Sequence, residues 1–223
     1  MCLLNDFVET KMFEDLGKLI ISIQNNYNRI CNIWSENIEK PINLKKKLVI
    51  NAREDAEILN SIWQYRSLIN DEIISIMFDL HTIHYANSTV TSRVKAQNSI
   101  EFKLENYYTN HEGGRIPIKK CLNDLLGIRI VIDGDFTYQE VKQYMVENFP
   151  EYKCIDSSKL SYIATHIYFE NGNTFFPWEL QIWKKEDEKN NFISHKEYKQ
   201  EYTKWEKNNR GGVEGDQTFY DFE

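Results

Sequence analysis

The 223-residue chain has no basic excess, because 27 lysines and arginines stand against 34 aspartates and glutamates, a net charge of −7. A protein that holds nucleic acid mainly through a basic surface is therefore disfavoured, while a local basic cleft stays compatible, since net charge averages over faces. Paired C-x-x-C spacing is also missing. Cys2, Cys31, Cys121 and Cys154 are scattered, which excludes a disulfide scaffold and a structural zinc site and leaves reduced thiols of a cytoplasmic protein. No run approaches the roughly 20 apolar residues of a membrane span. The opening "MCLLNDFVETKMFEDLGKLIISIQ" places acidic residues before a short apolar run, unlike a signal peptide. The expectation is a chain with no membrane partner. G-x-x-x-x-G-K-S/T, G-x-G-x-x-G and G-x-S-x-G are all absent, which argues against P-loop, dinucleotide and hydrolase-elbow chemistry.

What is present falls into two parts. Phe13, Leu16, Leu19, Ile20, Ile23, Tyr27 and Ile30 recur at three- and four-residue steps, which predicts a helix from Phe7 to about Trp34. "EKPINLKKK" reads as a loop. A second helix is expected from Asn51 to about Tyr85, with a break near Asn70. From Ser88 the chain turns β-branched: "STVTSRVK" reads as a strand, and a helix capped at Asn98 or Ser99 follows. "HEGGRIP" is a loop, "IKKCLNDLLG" a short helix closed by Gly127, "IRIVID" a buried strand, and "FTYQEVKQYMVENFP" an amphipathic helix ending at Pro150. "THIYFENGNTFFPWELQIW" predicts two strands joined around Asn171-Gly172. This order implies an α/β (α+β) fold with a mixed β-sheet flanked by helices and a helical N-terminal extension. The expected division is a helical region 1–86 packing on the core, a core 87–202, and a loosely docked acidic tail 203–223.

"FPWELQIWKK" places two polar residues inside an apolar strand. Side chains alternate across a sheet, so Glu179, Gln181 and Trp183 share one face and Leu180 and Ile182 the other. That face is either solvent-facing or the floor of a site. In "DLLGIRIVID", parity sets Arg129 opposite Ile128 and Ile130, with Asp124 on the short helix before the strand. Mg²⁺ takes oxygen ligands, usually one or two carboxylates plus substrate phosphates, and Asp124 and Glu179 are the candidates. Arg93, Lys95 and Lys103 surround a strand-to-helix junction, where cations and free N–H groups attract phosphate. Tyr162 and His166 lie four residues apart in "LSYIATH"; a tyrosine can stack on a base and a histidine can donate to phosphate or hydroxyl. His81 and His84 have helical metal spacing, but no third ligand is evident and a structural role is expected.

Taken in order, "SRVKAQNSIEFKLE", "LNDLLGIRIVI", "YIATH" and "WELQI", followed by "SHKEYK", resemble the synthetase domain of the RelA/SpoT family. The single-domain small alarmone synthetases are the most similar in size. The resemblance covers about Val90 to Lys199. It implies a mixed sheet of the nucleotidyltransferase type and a Mg²⁺-dependent transfer of pyrophosphate from ATP to the 3′-hydroxyl of GDP or GTP. Residue by residue, it implies that Arg93, Lys95 and Lys103 are ATP-phosphate cations and Ser99 the serine at the helix start. Asp124 would be the magnesium-binding aspartate, with Arg129 following on the strand. Tyr162 would stack on the acceptor guanine, with His166 beside it. Glu179 would activate the acceptor hydroxyl and help hold the metal, and Gln181 would position it. No His-Asp dipeptide occurs, so the metal-dependent hydrolase dyad of longer family members is absent.

The chain also departs from the family pattern. Ser161, Tyr162, Ile163 and Ala164 stand where the family commonly has Gly-Tyr-Arg-Ser, and Trp183 and Lys184 replace the usual Arg-Thr. "KCIDSSKLSY" is shorter than the acceptor-binding loop the resemblance implies, and Lys159 would stand in for the family's lysine. Three readings stay open: a synthetase making a (p)ppGpp-type alarmone; the same transfer to the 3′ end of tRNA, as in toxic relatives that need a neutralising antitoxin; and a catalytically silent nucleotide- or partner-binding module. The acidic balance counts mildly against tRNA. A homo-oligomer is compatible with each.

Overall fold

In a computed structural model of the chain, residues 2–83 and 87–195 are described, with side chains from Lys11 onward. The expected tail 203–223, His84 and the end of the "SHKEYK" motif lie outside the described residues.

The periodic stripe folds as expected but runs further. Helix α1 spans Cys2–Asn37, and Leu16, Leu19, Ile20, Ile23, Tyr27, Ile30 and Trp34 line its buried side. The second helical stretch is broken, though at Asp55 and not near Asn70. Helix α2 covers Val49–Glu54 and α3 covers Ala56–His81. Asp55 is extended and accepts from the Glu57 N–H, an N-cap that restarts the helix. Asn70 lies inside an uninterrupted α3, where its neighbour Ile69 packs in the core.

Among the described residues five strands form one sheet in the order β1-β2-β5-β4-β3. They are β1 (Ser88–Val94), β2 (Leu126–Ile132), β3 (Lys153–Asp156), β4 (Thr165–Phe169) and β5 (Trp178–Lys184). Neighbours are antiparallel except β2 and β5, which run parallel. Helix α4 (Gln97–Asn110) follows β1, α5 (Ile118–Cys121) precedes β2, and α6 (Tyr138–Asn148) follows it. Thr137 and Glu140 form the capping box that starts α6.

Several local expectations are corrected. The cap of α4 is Ala96, which has no side-chain bond; Asn98 and Ser99 sit inside the first turn. Helix α5 ends at Cys121, so Asp124 lies in the loop before β2, and Gly127 belongs to β2. The link between β4 and β5 is a loop over 170–177 in which Gly172 takes a left-handed φ of 62°, not a two-residue turn. The Tyr27 hydroxyl accepts from the Asn171 N–H, and Tyr65 donates to the Phe176 carbonyl while accepting from Trp178 Nε1. The helices thus hold the entry to β5. Strand β3 was not expected; it is a four-residue edge strand with a single β-branched residue, Ile155, too weak a β signal to stand out.

One sheet face, carrying Ile128, Ile130, Ile167, Leu180 and Ile182, packs with α1 and α3 in a single hydrophobic cluster. The opposite face carries the polar residues. No helix among the described residues is long and apolar enough to cross a membrane.

Candidate active site

Strand register lays the polar face out in three cross-strand rows. Arg93, Gly127, Glu179 and Tyr168 form the first; Thr91, Arg129, Gln181 and His166 the second; Thr89, Val131 and Trp183 the third. Gly127 presents no side chain between Arg93 and Glu179, and a Cβ there would stand 3.9 Å from the Arg93 stem.

Glu179 is only 7% exposed, so its strand is buried on both faces. A buried carboxylate is tolerated when donors surround it. Tyr168 donates to Oε1 at 2.9 Å, and Gln181 Nε2 donates to Oε2 at 2.7 Å. His166 Nδ1 lies 2.9 Å from Oε1. Burial works to raise the Glu179 pKa and nearby Asp124 adds to that, but the contacts from His166 and Gln181 outweigh them and hold it below the usual range. Gln181 is itself oriented, because Arg129 Nε and Nη2 donate to its Oε1 at 3.2 and 3.0 Å.

A second charged cluster sits where β1, α4 and the loop before β2 meet. Lys95 Nζ reaches Asp124 Oδ2 at 2.6 Å and Lys103 Nζ reaches Oδ1 at 2.9 Å. Burial would raise the Asp124 pKa, yet the two ammonium groups hold it far below the carboxylate range. Burial also lowers the Lys95 pKa to about 8 against the pull of Asp124, with Lys103 and Arg93 adding repulsion. For Lys103 the aspartate outweighs burial and the pKa rises. Ser99 lies four residues before Lys103 on α4, hence on the same helix face.

The third row is aromatic. Trp183 is fully buried, with the Arg129 guanidinium 3.6 Å from its ring centroid. Its Nε1 donates to the Tyr162 hydroxyl at 3.3 Å, and that hydroxyl lies 2.8 Å from His166 Nε2. His195 stacks on Trp183 at 5.6 Å and meets Tyr162 edge-on at 5.2 Å. His195 comes from a helical segment over 188–195, anchored where Asn191 bonds the N–H and carbonyl of Ile163 at 2.8 Å. Lys184 points the other way, pairing with the exposed Asp135.

The structure therefore brings together Arg93, Arg129, Tyr162, His166, Glu179 and Gln181 on one face, and Lys95, Lys103 and Asp124 in one triad. Lys159 stands exposed in a turn closed by reciprocal backbone bonds with Tyr162, outside both groups. Leu160 at its tip is 96% exposed with a φ of 57°. Sequence reasoning missed Tyr168, whose place opposite Glu179 required the β4–β5 register, and His195, which comes from a separate element. No cluster of three or more metal-ligating side chains occurs among the described residues.

Burial and the charges of Arg129 and Arg93 lower the His195 pKa from 6.5 to about 3. Between those values the unfolded chain binds more protons than the folded one, so this stabilisation is complete above 6.5 and is lost as pH falls toward 3. Each pH unit in that window removes up to about 1.4 kcal/mol. Thermal unfolding followed from neutral to acid pH is expected to fall more steeply for the wild type than for His195→Phe, which keeps a ring against Trp183 without titrating. Equal slopes would remove His195 as the acid-sensitive group.

Neither a scan against protein families nor a search of curated proteins gives a match. Solved structures do. Small alarmone synthetase 1 from Bacillus subtilis is 22% identical, with 68% of this chain and 82% of that chain covered, at a TM-score of 0.40. Small alarmone synthetase 2 from the same organism is 18% identical, covering 66% and 80%, at 0.36. The first enzyme bound to its product pppGpp is 18% identical, covering 73% and 83%, at 0.35. At such scores the likeness constrains no residue of this chain, and the functional reading rests on the site itself.

Proposed function

We propose that the chain is a Mg²⁺-dependent pyrophosphokinase that transfers pyrophosphate from ATP to the 3′-hydroxyl of a guanine nucleotide, GDP or GTP, giving a (p)ppGpp-type alarmone. The observation that carries this reading is Glu179, a carboxylate held ionised on a buried sheet face with cations in the same rows. The ordered motifs that resemble the RelA/SpoT synthetase domain support the same chemistry.

Three donors occupy three of the roughly four lone-pair directions of a carboxylate, leaving one for a substrate hydroxyl. In the proposed step Glu179 takes the hydroxyl proton, the oxygen bonds to the β-phosphorus of ATP, and the bond from that phosphorus to the α–β bridging oxygen breaks to release AMP. Arg93, Lys95 and Lys103 neutralise phosphate oxygens, and Ser99 lies at the start of the helix that carries Lys103. Gln181, braced by Arg129, fixes the carboxylate. Tyr162 and His166 border the acceptor side. Asp124 keeps an open direction on each oxygen beside its lysines and lies close enough to Glu179 for the two charges to influence each other, so it could hold an ion that takes one carboxylate and completes its shell with phosphates. Bound there, Mg²⁺ would supply charge neutralisation on the phosphates.

A second reading keeps the chemistry and changes the acceptor to the 3′ end of tRNA. It is favoured by the crowding of Tyr162, whose hydroxyl is engaged by His166 and Trp183 and whose ring meets His195. Purified protein given ATP, Mg²⁺ and, in turn, guanine nucleotides, adenine nucleotides and deacylated tRNA is expected to yield AMP and a 3′-pyrophosphorylated guanine nucleotide. Product on tRNA alone would establish the second reading. No AMP with any acceptor would overturn both.

A further inference from the structure

Both oxygens of Glu179 trace back, through two separate arms, to a single indole. One arm runs from Trp183 Nε1 to the Tyr162 hydroxyl at 3.3 Å, on to His166 Nε2 at 2.8 Å, and from His166 Nδ1 to Glu179 Oε1 at 2.9 Å. The other runs from the Trp183 ring to the Arg129 guanidinium at 3.6 Å, from Arg129 to Gln181 Oε1, and from Gln181 Nε2 to Glu179 Oε2 at 2.7 Å.

The chemistry of these groups sets the direction of the first arm. An indole N–H only donates, whereas a phenol has one proton to give. With the Tyr162 oxygen accepting from Trp183, its own proton goes to the acceptor beside it, His166 Nε2. The imidazole proton then sits on Nδ1 and donates to the carboxylate. Reversing the arm would turn a nitrogen lone pair toward Glu179 Oε1. On the second arm the guanidinium also only donates, so Gln181 Oε1 faces Arg129 and its amide N–H groups face Glu179. Trp183 itself is fully buried on β5, two residues from Gln181 on the same face.

We propose that Trp183 is a positioning residue: its N–H selects the His166 tautomer with the proton on Nδ1, and its ring steadies Arg129, so that both Glu179 oxygens face donors. The inference rests on the reading of Glu179 as the base for the acceptor hydroxyl. It also makes the replacement of arginine by tryptophan at this position a constructive change.

The test uses Trp183→Phe, which keeps an aromatic ring beside Arg129 while removing the donor and the smaller ring of the indole, in full-length protein. Histidine ¹⁵N shifts of the nucleotide-free protein read the tautomer directly. Wild type is expected to show protonated Nδ1 at His166, and Trp183→Phe a shift of population toward protonated Nε2. The rate of AMP release is expected to fall by about 10- to 100-fold, the range seen when an outer hydrogen-bond partner of a site is lost, with KM for both substrates nearly unchanged. Tyr162→Phe keeps the ring, breaks the arm one link further in, and is expected to move the same resonances, which covers a failure of Trp183→Phe to fold. An unchanged tautomer in whichever variants fold overturns the inference, even if turnover drops. The expected tautomer change in a protein that releases no AMP with any acceptor would instead overturn the functional reading and leave the hydrogen-bond assignment standing.

Discussion

Glu179→Gln is expected to lower the rate of AMP release by about 10²–10⁴-fold, the usual contribution of a positioned general base, and to lower stability as well. The side chain is buried and accepts from Tyr168 and Gln181 while facing His166 Nδ1. An amide supplies one oxygen and one NH₂. If the oxygen keeps the contacts with Tyr168 and His166, the NH₂ confronts the Gln181 NH₂. Gln181 cannot turn without losing the two bonds from Arg129. A buried donor left facing a donor costs about 1–3 kcal/mol. On a solvent-facing or cleft-lining strand face, the two settings the sequence allowed, such a change would disturb the fold little; at 7% exposure that no longer holds. Tyr168→Phe separates the two effects, since it removes one of the same bonds and keeps the carboxylate. Urea unfolding should place both variants below wild type, with only Glu179→Gln losing transfer by orders of magnitude. Equal loss of activity in the two would remove Glu179 as the base.

Asp124→Asn should have its largest effect on stability. Lys95 and Lys103 have side chains only 11% and 15% exposed, and both point at this carboxylate. Removing one partner of a buried ion pair costs about 3–5 kcal/mol, because the remaining charge is stranded. Here two ammonium groups lose their shared counter-ion. A polyphosphate anion can replace it. Inorganic triphosphate or a non-hydrolysable ATP analogue is therefore expected to raise the melting temperature of Asp124→Asn more than that of wild type, since in wild type the lysines must first leave Asp124. Transfer should remain lost in the stabilised variant. A variant as stable as wild type, or one that gains nothing from triphosphate, would show that the triad does not form the phosphate seat.

The parts of this architecture that repeat with a simple period were legible in the sequence. The stripe from Leu16 to Ile30 predicted α1, and the period of two in β2 and β5 put Arg129, Glu179 and Gln181 on the face away from Ile128, Ile130 and Leu180. What escaped depends on register or on distant elements. Tyr168 becomes a partner of Glu179 because β4 pairs antiparallel with β5 at that residue. Trp183 read as sharing the face of Glu179 and Gln181 and as a departure from a family pattern, but nothing local says that its ring lies on Arg129. The misplaced helix break has a local cause that was available: Asp55 is an N-cap residue type, its side chain accepts from the Glu57 N–H, and this outweighs the polar Asn70 inside a continuous apolar stripe.

The position of β5 also determines when the site can exist as the chain is synthesised. Among the described residues it is the last strand in sequence and the middle strand in space, with β2 and β4 on its two sides. A ribosome-bound chain that has emerged only as far as Phe169 can pair β1 with β2 and β3 with β4, giving two separate ribbons. Each then has an open edge that invites pairing with other chains. Arrival of Trp178–Lys184 joins the ribbons, covers the open edges of β2 and β4 and delivers Glu179 and Gln181 in the same event. Every nascent chain that ends before Glu179 lacks this carboxylate, so the transfer proposed above requires the joined sheet.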